Sequence, residues 1–275
     1  MRTAITPLSV RRPRTLAEAL AMLRDDGPLV PLAGATDLYV ALNFGTLSAT
    51  RFVDLWSLDS LRRIGIRSDV LSIGALATYT SLTRSRLVRQ RVPMLIDASR
   101  QIGGVQIQNR GTIGGNIANG SPAGDTLPVL AAVEALVVAR SASDERRIPF
   151  VDYYTGYRKS VLRPDELIVA VEIPPVTGRQ WFRKVGTRAA QAISKVVMAG
   201  VRSDASRIAF GSVGPVVVRA RGAERSLMDG QGIDQAADAL GADISPIDDI
   251  RSTGAYRRTV AQNLLRQFWS ETAPD

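Results

Sequence analysis

Gly111-Thr112-Ile113-Gly114-Gly115-Asn116 lies at the centre of the most irregular stretch of this 275-residue chain. Between residues 103 and 128, Gly103, Gly104, Gly111, Gly114, Gly115, Gly120 and Gly124 fall among Asn109, Asn116, Asn119, Pro122 and Pro128. Such a density of backbone-permissive residues predicts a loop here and not a regular element. A shorter turn precedes it, Ala33-Gly34-Ala35-Thr36-Asp37. Neither turn reads G-x-G-x-x-G, so the ordinary dinucleotide fingerprint is missing, and the Walker A pattern is missing too. Glycine turns still have a physical use. Without Cβ atoms the backbone approaches a ligand closely, and successive N–H groups converge on a phosphate. Two such turns, each with a hydroxyl and an amide or carboxylate beside it, fit the two sides of a diphosphate.

Working outward, Thr15-Leu16-Ala17-Glu18 is a capping box that starts a helix. That helix turns Leu16, Ala19, Leu20 and Leu23 inward and stops near Gly27. The apolar run 29–33 predicts a buried strand that enters the first turn, with a helix after it. Residues 51–55 and 70–73 read as further strands, and 86–102 as a helix perturbed near Pro93. Beyond the glycine-rich stretch come a short helix over 127–134 and strands over 135–139 and 166–173. Pro174-Pro175 ends the last of these, and with Thr177-Gly178 it marks a boundary. Strands follow at 181–185, 196–201 and 207–213, then helices at 233–240 and 254–269. The final helix places Val260, Leu264, Leu265 and Phe268 on one face. The chain reads as α+β in two parts.

Composition narrows the chemistry. Hydrophobic residues at 45% and charged residues at 22% are ordinary for a soluble globular chain. Cysteine and histidine are both absent. This excludes thiolate-held iron–sulfur clusters, Cys/His zinc sites, disulfides, Ser-His-Asp or Cys-His nucleophiles and imidazole bases. Catalysis must therefore rest on carboxylates, Lys, Tyr and hydroxyls, or on a bound cofactor, and the cofactor is the better reading. The formal charge is +9, carried almost wholly by Arg, since Lys159, Lys184 and Lys195 are the only lysines. The basic residues are scattered and aromatic content is 5%, which favours a generally basic surface over a nucleic-acid groove. Residues 1–10 lack the apolar run of a signal peptide and no stretch reaches transmembrane length, so a cytoplasmic protein is expected.

The motifs resemble a known family. Ala33-Gly34-Ala35-Thr36-Asp37-Leu38 is similar to the A-G-G-T-D-L turn of the FAD-binding subunits of molybdenum hydroxylases. Examples are the medium subunit of aerobic carbon monoxide dehydrogenase and the flavin domain of xanthine dehydrogenase. Thr112-Ile113-Gly114-Gly115-Asn116, with Ser121-Pro122 and Asp125 after it, is similar to that family's second flavin motif at the family's spacing. The likeness continues through Lys184-Val-Gly-Thr-Arg188-Ala-Ala-Gln-Ala-Ile-Ser-Lys195 and into the tail at Ile250-Arg-Ser-Thr-Gly-Ala-Tyr-Arg257.

The resemblance implies an α+β fold of the PCMH or vanillyl-alcohol-oxidase type. A FAD-binding domain over 1–176, with subdomains of about 1–56 and 57–176, holds FAD between them. A smaller α/β domain of the CO dehydrogenase flavoprotein C-terminal type follows over 177–275. Residues Ala33, Gly34, Ala35, Thr36 and Asp37, with Thr112, Ile113, Gly114, Gly115 and Asn116, are implied to hold the FAD diphosphate through backbone N–H groups, assisted by the Thr36 and Thr112 hydroxyls. Asp125 is implied to accept from a ribose or ribityl hydroxyl. Lys184 belongs near the flavin pyrimidine edge, and Ile102 and Ile168 supply apolar walls for the rings. Ala35 stands where the family usually has glycine. If φ is positive there, alanine costs about 1 kcal/mol, and its methyl crowds a close backbone approach while its N–H remains.

By the same resemblance the chain is one subunit of a larger oxidoreductase. A molybdopterin-binding large subunit oxidises the substrate. A small subunit with [2Fe-2S] clusters passes the electrons to FAD here, and these go on to NAD, oxygen or a quinone. The assembly implied is a dimer of heterotrimers without nucleic acid. Read without the resemblance, Asp37 and Asp125 are also candidate helix caps, and Lys184 a surface lysine. Arg188, Lys195, Arg251 and Arg257 read as structural or surface residues, Tyr39, Tyr153 and Tyr154 as packing, and Trp181 and Trp269 as core. Two rival functions remain. A free-standing flavoenzyme of similar fold, such as an enolpyruvyl reductase or an oxidase, needs its own proton donor or substrate pocket. A cofactor-free nucleic-acid-binding protein leaves both glycine turns unexplained.

Overall fold

The computed structural model describes residues 8–189 and 191–274. The expectations for residues 1–7 and for Ala190 of the Lys184–Lys195 motif lie outside the described residues. The chain opens with β1 (Ser9–Arg11), α1 (Leu16–Asp26), β2 (Val30–Leu32), α2 (Leu38–Asn43) and β3 (Arg51–Asp54). The strands form a parallel sheet in the order β1-β3-β2. Thr15 caps α1 by accepting from the Glu18 N–H at 3.1 Å, and Glu18 reaches back to the Arg14 N–H at 2.6 Å. Ala19, Leu20 and Leu23 face the core, and Gly27 is the C-cap. Because α2 buries none of its residues, Tyr39 is 63% exposed and does not pack as expected.

A second, antiparallel sheet starts with β4 (Ile64–Arg67) and β5 (Val70–Gly74). Six short helices intervene: α3 (Tyr79–Arg84), α4 (Arg86–Arg91), α5 (Pro93–Arg100), α6 (Val105–Arg110), α7 (Ile113–Asn119) and α8 (Leu127–Ala132). The sheet resumes with β6 (Leu136–Arg140) and β7 (Glu145–Pro149). A hairpin of β8 (Tyr154–Gly156) and β9 (Lys159–Ser160) comes next, and β10 (Leu167–Ile173) then inserts at the sheet centre to give β4-β5-β10-β6-β7. The helix expected over 86–102 is two helices, broken at Val92 (φ −142°), because Pro93 cannot donate an interior helical bond and starts α5 instead.

Residues 103–128 correct the expectation of an irregular stretch. They hold α6, α7 and the start of α8. Thr112 caps α7, and the glycines lie inside its first turn, where packing decides. A Cβ on Gly114 would come within 2.6 Å of the Ala75 Cβ, so only glycine lets this helix seat against the end of β5. Gly120, at φ +59°, ends α7 in the left-handed conformation.

The last part is a four-stranded antiparallel sheet, β11 (Arg179–Val185), β12 (Val196–Arg202), β13 (Arg207–Gly211) and β14 (Val218–Arg219), in chain order. Three helices follow: α9 (Arg221–Met228), α10 (Ile233–Asp243) and α11 (Gly254–Glu271). Strand β12 is buried on both faces, which explains its unbroken apolar run. Ala199 and Val201 join the core with α5 and α8, whereas Val196 and Met198 join the core under α10 and α11. The C-terminal sheet is thereby fastened directly to the helices that flank the glycine-rich stretch. Trp181 is in this core, while Trp269 is only partly buried, with the Arg202 guanidinium 3.6 Å above its ring.

Candidate functional site

The parallel sheet, the helices before β6 and the loop between β11 and β12 meet around a cleft of about 770 Å³, within the size range of small-molecule sites. Both glycine turns face it and touch each other. An ideal Cβ on Gly34 would lie 1.9 Å from the Arg110 carbonyl oxygen, so the first turn passes the end of α6 at a distance only glycine permits. Ala35 has φ +64°, the left-handed conformation that favours glycine.

The two turns offer different groups. Among the described residues, the amides of Gly34, Ala35, Thr36 and Asp37 donate to no protein oxygen. In the second turn the donors are already engaged. Ile113 N–H donates to the Ala77 carbonyl (3.0 Å), Gly114 N–H to Ala75 (2.9 Å) and Asn116 N–H to Thr112 (3.0 Å). Gly115 N–H donates to Thr112 Oγ1 at 3.1 Å. The expectation that both turns present backbone donors is corrected accordingly: the first turn does, while residues 113–116 use theirs to hold α7 in place. What the second turn offers the cleft is the Thr112 hydroxyl, the bare backbone of Gly115 and the Asn116 side chain, whose Oδ1 accepts from Thr126 Oγ1 at 2.7 Å.

Ala33, Gly34, Ala35, Thr36, Asp37, Ile102, Thr112, Gly115, Asn116 and Asp125 all line the cleft. Gly114 and Ile168 line a neighbouring pocket of about 80 Å³ that shares Ala33, Thr112 and Gly115 with the cleft wall. Ile113 is fully buried in the core. Lys184 lies behind the wall, with Nζ 2.6 Å from Asp125 Oδ2 and 3.1 Å from the Gln101 carbonyl. It is a buried ion-pair partner, not a surface lysine.

Asp125 is the most distinctive group. It is 7% exposed, and one oxygen is held by Lys184 while Oδ1 has no partner. Burial pushes its carboxyl up to about 6 against the opposing pull of Lys184. An orphaned buried acceptor in a cleft wall fits a ligand hydroxyl. Asp125 does not cap α8, whose N-cap is Thr126, and Asp37 caps nothing with its side chain. Asp37 Oδ1 instead accepts from Asn119 Nδ2 at 3.1 Å, and burial raises its carboxyl pKa against the pull of Arg158. Arg158 Nη1 donates to Asn119 Oδ1 at 3.1 Å, which places a cation at the cleft wall. Sequence reasoning missed Arg158, Asn119 and the wall residues Ala192 and Ile193 from the loop after β11. Arg158 sits in a hairpin far along the chain, and its one local signal is a basic residue beside Gly156.

The chain is similar to known proteins over nearly its whole length. The family described as FAD binding domain in molybdopterin dehydrogenase matches residues 6–176, and CO dehydrogenase flavoprotein C-terminal domain matches residues 179–272. The chain is 30% identical to the glyceraldehyde dehydrogenase medium chain of Sulfolobus acidocaldarius, over 95% of this chain and 97% of that one. It is likewise 30% identical to the xanthine dehydrogenase FAD-binding subunit of Escherichia coli O157:H7, covering 96% and 95%. Carbon monoxide dehydrogenase from Hydrogenophaga pseudoflava, solved without the Mo-pyranopterin moiety of its cofactor, superposes with a TM-score of 0.90 at 27% identity, over 97% of this chain and 98% of that one.

Proposed function

The chain belongs to the family of FAD-binding medium subunits of molybdenum hydroxylases and is an oxidoreductase component that binds FAD, and from that premise we propose how its cleft holds the cofactor and what it serves. One observation carries the placement: the orphaned Asp125 Oδ1 shares a single cleft with four undirected backbone donors in the first turn. The amides of Gly34, Ala35, Thr36 and Asp37 donate to phosphoryl oxygens, with the Thr36 and Thr112 hydroxyls beside them. Arg158 supplies a positive charge nearby. Gly115 and Gly34 let the diphosphate lie close to the backbone, Asn116 offers its side-chain amide, and Asp125 Oδ1 accepts from a ribose or ribityl hydroxyl. Ile102 forms an apolar wall of the main cleft. Ile168 and Gly114 serve the neighbouring pocket, and Ile113 supports the turn from the core. Lys184 keeps Asp125 ionised and oriented, acting on the cofactor through that carboxylate.

When bound, FAD supplies a centre that accepts electrons singly and releases them in pairs. The chain has no cysteine to hold an iron–sulfur cluster, and among the described residues no group of acidic side chains could hold a metal. Its role is therefore to place the cofactor between redox partners on other polypeptides: a small subunit with [2Fe-2S] clusters as donor, a molybdopterin-binding large subunit as the source of reducing equivalents, and NAD, oxygen or a quinone as acceptor. The assembly is a dimer of heterotrimers in the cytoplasm. Among the described residues no helix is long and apolar enough to cross a membrane. Residues 1–176 form the cofactor domain, divided near residue 56, and 177–275 the C-terminal domain.

The test is direct. The purified chain, supplied with FAD, shows the visible spectrum of a bound flavin, and reduction of that flavin requires the small subunit together with the large subunit and its substrate. Rapid reduction of the chain alone by a small-molecule substrate other than NADH, which would run the proposed acceptor step in reverse, overturns the subunit reading in favour of a free-standing oxidoreductase.

A further inference from the structure

We propose that Arg257, on α11 of the C-terminal domain, is a positioning residue for the cofactor cleft, acting through the loop that carries Asp125. Arg257 closes the tail motif, none of whose residues lines the cleft. The Arg257 side chain is 5% exposed. Its Nη2 donates to Asp249 Oδ1 at 2.7 Å, and its Nη1 donates to the carbonyls of Ser212 (2.8 Å) and Lys195 (3.1 Å). Asp249 Oδ1 also accepts from the Arg251 and Ser252 amides, so the motif folds into a rigid seat for the guanidinium.

The two carbonyls that Arg257 holds belong to the ends of β12 and β13, and those ends grip the cleft loop. Ser212 N–H donates to the Pro122 carbonyl at 2.8 Å. Ser194 Oγ lies 2.9 Å from Ser212 Oγ and donates to the Ala123 carbonyl at 3.3 Å. Ser212 adopts φ +63°, a conformation that a non-glycine residue keeps only when its surroundings enforce it. Gly211 allows the approach, since a Cβ there would lie 2.9 Å from the Pro122 oxygen. Three residues beyond Pro122, Asp125 lines the cleft and has one oxygen without a partner. A guanidinium is suited to this task, because its planar fork serves one carboxylate and two carbonyls at once, whereas an ammonium cannot span them in that geometry.

The inference rests on the reading that Asp125 and its loop contact FAD, and the experiment separates the two claims. Arg257→Lys is compared with Leu265→Ala, a cavity further along the same helix at a buried leucine whose side chain takes part in none of these hydrogen bonds. Full-length FAD-free chains are measured by thermal unfolding and by hydrogen exchange of peptides covering 121–127 and Ser212, and FAD affinity is then measured by fluorescence titration. The expected result is faster loop exchange and FAD binding weakened by about tenfold or more in Arg257→Lys, one charged hydrogen bond's worth. Leu265→Ala, compared at temperatures equally far below its own unfolding, keeps the wild-type exchange in 121–127 and FAD binding within about twofold of wild type. Equal loop exchange and equal FAD affinity in Arg257→Lys and Leu265→Ala overturn the positioning role. Faster loop exchange in Arg257→Lys with unchanged FAD affinity overturns the placement of FAD against this loop, and with it the proposed role.

Discussion

Gly34→Ala is the most searching test of the paired-turn geometry. The added Cβ would lie 1.9 Å from the Arg110 carbonyl oxygen and 2.6 Å from its carbon, both backbone atoms that no rotamer can move. Reaching 3.0 Å, below which such contacts essentially do not occur, requires the first turn and the end of α6 to part by at least 1.1 Å, the difference between 3.0 and 1.9 Å. Overpacking of this kind costs about 1–3 kcal/mol, or a fall in melting temperature of about 2–12 °C for a domain of this size. The loss in binding is larger. A bond of normal length stretched by that distance is broken. Losing two amide bonds to phosphoryl oxygens, at about 1.5–3 kcal/mol each, weakens FAD binding by about 10² to 10⁴-fold. Fluorescence titration with FAD and thermal melts with and without it measure both effects. Gly34→Ala with wild-type affinity and an unchanged melting temperature would refute the close approach of the two turns.

Gly115→Leu meets only the Thr112 hydroxyl oxygen near its Cβ, so the chain folds, yet the side chain enters the cleft and FAD retention is lost; visible absorbance of the purified variant reads this. Ala35→Gly relieves a left-handed alanine, and after the entropic cost of glycine it raises stability by about 0.5–1 kcal/mol in a thermal melt, with FAD binding retained. The free chain and the complex respond oppositely to pH at Asp125, whose carboxyl is held at about 6 against an ordinary 3.8. In the free chain the raised value gives a stabilising contribution present below pH 3.8 and lost as pH rises through 6, visible in urea titrations. Hydroxyl donors to Oδ1 favour the ionised form, so FAD affinity is flat above pH 7 and falls by up to about tenfold per unit below 6. Asp125→Asn abolishes that slope in an FAD titration.

The local order of this chain was legible where a periodic pattern or a cap specified it. The box at Thr15 and Glu18, the run into Gly34, the strand stopped by Pro174 and the long last helix all depend on near neighbours, and the fold places them as read. The two glycine turns were equally legible as places of close approach, because glycine spacing records where a backbone must come close to something. The structure was needed to say to what. At Gly34 and Gly114 the close neighbours are Arg110 and Ala75, and the glycines of the second motif lie within a helix whose amides are already bonded. No local pattern reports that, since glycine's low helix propensity points the other way and packing against β5 overrides it.

The amino-acid sequence by itself determined the α+β class, its capped and periodic elements and the positions of the two glycine-bearing turns, and in a chain without cysteine or histidine it favoured a bound cofactor. Tertiary structure alone decided which turn has unbonded donors, that Asp125 has one oxygen tied to Lys184 and one buried without a partner, and that Arg158 and Ile193 join the wall. The physical reason is range. Backbone conformation and patterning are set within a few residues, whereas hydrogen-bond saturation and burial depend on groups brought together from distant positions, as Lys184 is to Asp125, 59 positions away, and Ser212 to Pro122 only once the C-terminal sheet has docked.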